Sequence, residues 1–204
     1  KKTVRWFLNC NRYSDEAYGN QDLFICYREV FNDKRLNPMN RSLCLHNFNY
    51  NLYRQTNYGK RQGKCYIVRK GANRVDLPQY FDGLIVDNLS EIEKVKVFNN
   101  CKYCISYDTQ TFYSTIASIC GCISIVVTEK GKSRKDYCGT GEIIYGVAYG
   151  WEEEEINFAL KTREKMLEKI VERQRQNLAE TQAFVNLCMA FFNNDLNIYE
   201  EIVK

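Results

Sequence analysis

The stretch Cys101-Lys102-Tyr103-Cys104-Ile105-Ser106-Tyr107-Asp108-Thr109-Gln110-Thr111-Phe112-Tyr113-Ser114-Thr115-Ile116-Ala117-Ser118-Ile119-Cys120-Gly121-Cys122-Ile123-Ser124-Ile125-Val126-Val127 decides the fold. Tyr103 to Ser106 and Ile123 to Val127 are short, nearly continuous apolar runs, the pattern of strands buried on both faces. Thr111 to Cys120 between them reads as a short helix, closed by Gly121, the residue type that best tolerates the left-handed turn ending a helix. Upstream, Lys64 to Val68 and Gly83 to Asp87 read as two more strands. Ser90 and Glu93 form a capping box that opens a helix carrying Ile92, Val95, Val97 and Phe98 and ending near Asn99-Asn100. Downstream, Ile143 to Gly150 reads as a further strand segment. The acids Glu152 to Glu155 then suit the positive N-terminus of a long helix, packed through Ile156, Leu160, Leu167, Ile170 and Val171. A second helical stretch carries Phe184, Val185, Cys188, Met189, Phe191 and Phe192. The expected fold is α/β: a Rossmann-like parallel sheet with helices on both faces and a long C-terminal helical segment.

Before this repeat, Val4 to Leu8, Leu23 to Phe31 and Ser42 to Phe48 read as short strands, and the Tyr-, Asn- and Arg-rich stretch Tyr50 to Lys64 as a linker or long loop. Hydrophobic residues at 45% and charged residues at 26% of 204 exclude a disordered or fibrous chain. The net charge of +4, from 29 basic and 25 acidic residues, is too balanced for a dedicated nucleic-acid binder, so no nucleic acid is expected as a partner. No run approaches the ~20 apolar residues of a membrane span. Several of the 10 cysteines, among them Cys26, Cys44, Cys65 and Cys104, lie in apolar or alternating runs. They read as buried reduced thiols, which favours a cytoplasmic location. Cys101-x-x-Cys104 and Cys120-x-Cys122 raise a zinc reading, but a C-x-C pair and a lone distant histidine, His46, fit a tetrahedral site poorly. No metal ligands are expected.

In an open parallel sheet, ligands sit beyond the carboxyl ends of the strands, so the segments that follow each strand hold the candidate site. After Val68, the residues Arg69, Lys70, Gly71 and Arg74 put cations around a glycine, a composition suited to phosphate or, structurally, to a solvated basic turn. After Ile105, Ser106, Tyr107, Asp108, Thr109, Thr111, Ser114 and Thr115 bring hydroxyls to a helix start. That arrangement suits an anion, or capping by Asp108 or Thr109 alone. Thr128 to Lys135 is a basic loop, and Tyr145 to Gly150 offers glycines and aromatics without a base. The chain contains no G-x-G-x-x-G, P-loop or G-x-S-x-G motif, so hydride transfer, Walker-type hydrolysis and serine hydrolysis lack their fingerprints.

The segment Ser106-Tyr107-Asp108 with Thr111 and Ser114, followed by Cys120-Gly121-Cys122, resembles the nucleotide-sugar-binding lobe of GT-B glycosyltransferases, in particular bacterial enzymes of surface-polysaccharide synthesis. Cys65 to Gly71, Asp82-Gly83 and Tyr145 to Gly150 share the resemblance, which spans most of residues 61–190. It implies a nucleotide-sugar donor whose diphosphate is neutralised by Arg69 and Lys70 and hydrogen-bonded by Ser106, Thr109, Thr111, Ser114 and Thr115. Asp108 falls at the first acid of the family's E-x7-E element, and Ile116 stands in place of the second. The implied transfer is metal-independent and needs no cofactor, and its acceptor is a glycan or a lipid-linked acceptor. By the same resemblance, residues 1–60 are expected to be the closing strands of an N-terminal lobe plus linker. Residues 61–150 would be the nucleotide-sugar-binding lobe, and 151–204 C-terminal helices packing back on the lobes. The chain would then be part of a longer enzyme, or work with a partner chain that supplies the other lobe and the catalytic base. Two other readings are a non-catalytic α/β module binding a nucleotide or a protein partner, and a cysteine-ligated zinc protein.

Overall fold

The computed structural model describes residues 2–8, 18–19, 21–138 and 144–193. Cys10, and Ile143 at the start of the last expected strand, lie outside the described residues. The chain divides into two compact units, residues 1–47 with 171–204, and residues 48–170.

The larger unit holds a five-stranded sheet in the order β4-β3-β5-β6-β7, every neighbouring pair parallel. Its elements in chain order are β3 Lys64–Ile67, β4 Leu84–Ile85, α1 Glu91–Asn100, β5 Tyr103–Ser106, α2 Tyr113–Ile119, β6 Ile123–Val126, β7 Val147–Tyr149 and α3 Glu153–Lys161. α4, Arg163–Phe192, begins in this unit. The α/β, Rossmann-like expectation is what the structure shows. Both bonds of the Ser90–Glu93 capping box are present, and Gly121 takes φ +105° after α2.

Handedness decides which face each helix covers. The connections β4-α1-β5 and β5-α2-β6 run in one direction across the sheet, so right-handed crossovers put α1 and α2 on the same side. Cys65, Ile67 and Cys104 meet Val95, Phe98, Ile116 and Ile119 there. On the other face Ile125 and Ala148 pack against Ala159 and Ile156 of α3. Tyr66 is covered there by Phe81 from the β3–β4 connection, with ring centroids 4.8 Å apart. Fully buried Phe98, Ile67 and Ile125 each contribute roughly 1.5–3 kcal/mol by leaving water.

Phe48, expected at the end of a strand, and the stretch from Tyr50, expected as a linker or long loop, belong to this sheet unit. Phe48, Leu52 and Tyr53 join its core, and the Asn99 side chain accepts from the backbone N–H of Thr56 at 2.6 Å. The long helix expected from Trp151 is interrupted at Thr162. Its hydroxyl donates to the Phe158 carbonyl at 2.7 Å and accepts from the Gly146 N–H at 3.0 Å. Beyond it, no Gly or Pro breaks the chain up to Phe192, so the two expected helical stretches merge in α4.

In the smaller unit β1 Val4–Phe7 pairs in parallel with β2 Leu23–Cys26. β2 ends sooner than the expected Leu23 to Phe31, and a 3-10 turn follows at Glu29–Phe31. Ser42 to Phe48 forms no strand beyond a bridge between Cys26 and Ser42. The reason is visible at His46, whose N–H and C=O are both taken by the Asn177 side-chain amide, at 2.9 and 2.6 Å. Leu23 and Ile25 pack with Leu43 and Leu187, whereas Phe24 and Cys26 pack with Phe7 and Phe31.

Candidate functional site

The chain enters the sheet at β3, moves out to the edge at β4, then returns past β3 to β5 and steps outward the other way. The strand order therefore reverses between β3 and β5, and their carboxyl ends flank the crevice where open α/β sheets bind ligands. Two of the four sequence-predicted segments meet there. Ile67 is in register with Ser106, and an ideal Cβ on Gly71 would lie 2.4 Å from the Tyr107 carbonyl oxygen. Gly71 is thus a contact residue between the two post-strand segments, and its N–H bonds the Val68 carbonyl at 2.7 Å.

Arg69 adopts φ +35°, a left-handed conformation that costs a non-glycine residue free energy. The carboxylate of Asp87 holds it there. It accepts from the Arg69 N–H at 2.7 Å and from the Val68 N–H at 3.2 Å. Asp87 follows β4 and was not among the candidates; an acid at the carboxyl end of a parallel strand was its sequence signal. The two backbone donors at this turn are therefore satisfied within the chain. The guanidinium of Arg69 lies over the ring of Tyr113, 5.1 Å from its centroid, and Lys94 approaches the same ring at 4.7 Å. Tyr113 and Tyr53 both donate to Glu91, which also pairs with Lys94 at 3.1 Å. Burial alone would raise the Glu91 pKa, but the hydroxyls of Tyr113 and Tyr53 and the Lys94 ammonium outweigh it and bring the carboxyl below its usual range. Arg69 and Lys70 are exposed and make no ion pair among the described residues.

Arg74 is placed differently from its two neighbours. Its Nη1 donates to the carbonyls of Tyr107 and Val127 at 3.2 and 2.6 Å, and its Nη2 to that of Thr128 at 3.3 Å. Nε and Nη2 also bind Asp76, at 2.8 and 2.5 Å. Every guanidinium N–H is used, so Arg74 laces the ends of β5 and β6 together. Its charge is matched by Asp76.

On the β5 side, Ser106 is fully buried and donates to the Asp108 carbonyl at 2.8 Å. Asp108 is 2% exposed; its Oδ1 accepts from the Gln110 N–H at 3.1 Å in an Asx turn, and its Oδ2 has no hydrogen-bond partner among the described residues. That turn delays α2 to Tyr113, so neither Asp108 nor Thr109 caps it. Thr111 instead accepts from the Tyr113 N–H at 3.3 Å. Ser114 is buried with its hydroxyl unpartnered among the described residues, and Tyr107, Thr109 and Thr115 are half-buried.

The remaining two segments meet each other through Arg134, and the first of them reaches the switch-point turn only at Thr128, through Arg74. Arg134, from the basic loop, bonds the carbonyls of Ile144 and Val147 at 2.7 Å each. It pairs with Glu155 at 2.5 Å and lies against the rings of Tyr149 and Phe158. Among the described residues, no group of three or more His, Cys, Asp or Glu is arranged to hold a metal ion, and no helix is long and apolar enough to cross a membrane.

Comparison with protein families, with curated proteins and with solved structures finds no match. The chemistry of this edge rests on its own residues: two exposed cations, one of them held over an aromatic ring, beside a buried carboxylate with an unpartnered oxygen.

Proposed function

We propose that this chain is the donor-binding portion of a glycosyltransferase, holding the diphosphate of a nucleotide sugar between the ends of β3 and β5. The supporting observation is the contact of the Arg69–Gly71 turn with Tyr107 at the reversal of strand order, with Lys70 exposed and without an ion pair among the described residues and Arg69 exposed over the Tyr113 ring. The acceptor, a glycan or a lipid-linked acceptor, attacks the anomeric carbon through a hydroxyl oxygen. The bond to the diphosphate oxygen breaks, and Arg69 and Lys70 stabilise the negative charge that accumulates on the leaving group. No metal is required where two cations serve this role. The acceptor's proton goes to a base outside this edge, on an N-terminal lobe or partner chain. The nine free thiols among the described residues suit the cytoplasm, where we place the reaction. Surface-polysaccharide synthesis is the process proposed for it.

Calorimetric titration with UDP, GDP, CDP and their sugars, paired with an assay for sugar release or transfer, tests this reading. Binding with turnover supports the transferase. Binding without turnover, even when a second lobe is supplied, points to a non-catalytic nucleotide-binding module. Failure of every nucleotide and nucleotide sugar to bind overturns both.

A further inference from the structure

The smaller unit carries chemistry that the sheet edge does not use. His46, the chain's single histidine, stands two positions from Cys44, and its Nε2 lies 3.1 Å from the Cys44 sulfur. In the tautomer protonated at Nδ1, Nε2 accepts the thiol proton. The segment that carries the pair is held on both sides by contacts that use neither side chain. Before it, the Leu43 N–H donates to the Cys26 carbonyl at 3.0 Å, and Leu43 is buried with Leu23, Ile25 and Leu187. After it, the Asn177 amide takes both backbone groups of His46, at 2.9 and 2.6 Å. Anchors so close on either side hold the imidazole against the sulfur. The Tyr27 ring lies beside the imidazole, with centroids 5.9 Å apart. Burial, helped by the neighbouring Cys44, pushes the Tyr27 phenol up to about 12 against the charges of Arg28 and Arg173, so it keeps its proton. Cys44 and His46 are both half-buried, within reach of small solutes. A thiol bonded to a base that a third residue fixes in place is the arrangement of an activated nucleophile.

We propose that Cys44 is a nucleophilic thiol with His46 as its base, and that it is modified by small disulfides of the glutathione type. The thiol proton passes to His46 Nε2, and the Cys44 sulfur attacks one sulfur of the disulfide. The S–S bond of the reagent breaks, a new S–S bond forms to Cys44, and the departing thiolate takes the proton back from His46. Cys44 is oxidised to the disulfide level and one half of the reagent is reduced to a free thiol, so no other oxidant enters.

Incubation of the full chain with glutathione disulfide near neutral pH, followed by non-reducing peptide mapping over time, reads the rate at each cysteine. Cys188, the other half-buried thiol described in this unit, is the internal reference, and burial raises its pKa. Cys44 is expected to react about tenfold faster than Cys188, the step from a few per cent thiolate to a largely ionised thiol. His46→Gln leaves both backbone anchors in place and should slow Cys44 by about the same factor, while Cys188 keeps its rate. A purely structural role for His46 predicts the opposite, since loosening the segment would expose Cys44 and speed its reaction. The proposal is overturned if Cys44 reacts no faster than Cys188, or if its rate in His46→Gln is unchanged or higher. Should His46→Gln not fold, the comparison of the two cysteines in the wild type decides alone.

Discussion

Gly71 packs under the carbonyl of Tyr107 so closely that a Cβ in its place would stand 2.4 Å from the oxygen. The obstacle is backbone at the end of a central strand, which cannot swing aside as a side chain would. Gly71→Ala is therefore expected to cost about 1–3 kcal/mol of stability, read as a lower midpoint of urea unfolding. The same variant separates the Arg69–Lys70 turn from β5, so it also weakens anion binding at this edge.

Arg74 tests whether a basic residue near the site acts through the fold. Arg74→Gln removes the carbonyl contacts to Tyr107, Val127 and Thr128 and the pair with Asp76. Stability is expected to fall by about 2 kcal/mol, with pyrophosphate affinity at Lys70 changed little in the fraction that stays folded. Chemical unfolding and calorimetry on one preparation separate the two effects.

Glu91 gives the larger unit a pH signature. Its carboxyl has an ordinary value of 4.5 and is lowered in the folded chain, so the fold binds its proton more weakly than the unfolded state does. The resulting stabilisation is complete above that value and is lost as pH falls through the folded pKa. Glu91→Gln lacks this contribution. The stability difference between wild type and variant should therefore shrink on acidification below 4.5, in unfolding curves taken across that window.

Asp87 places a negative charge beside Arg69 and against the turn that would receive a phosphate. Asp87→Asn keeps an acceptor for the Val68 and Arg69 N–H groups and removes the charge. Pyrophosphate should bind roughly fivefold more tightly, the effect of about 1 kcal/mol at a partly solvated site, as measured by calorimetry at fixed ionic strength.

The β-α-β repeat was legible because each buried strand is a short apolar run bounded by polar or glycine punctuation, and because Ser90, Glu93 and Gly121 mark helix ends by local chemistry. Distant partners left no such mark. The Asn177 amide that occupies His46 lies 131 positions away, and it removed the strand expected from Ser42 to Phe48. Basic residues in loops look alike in sequence. Lys70 faces solvent, whereas Arg74 and Arg134 turn onto carbonyls at strand ends, a distinction set by tertiary packing. The role of Asp87 depends on β4 lying beside β3, a pairing that local sequence does not mark.

Lys70 is the exposed cation at the switch point with no competing partner among the described residues, so its removal bears most directly on the proposed site. Titration of wild type and Lys70→Ala with UDP, GDP and their sugars should show nucleotide binding that weakens by about 1–3 kcal/mol in the variant, at unchanged thermal stability. Equal affinity in the two proteins, or no binding by either, would contradict donor recognition between β3 and β5.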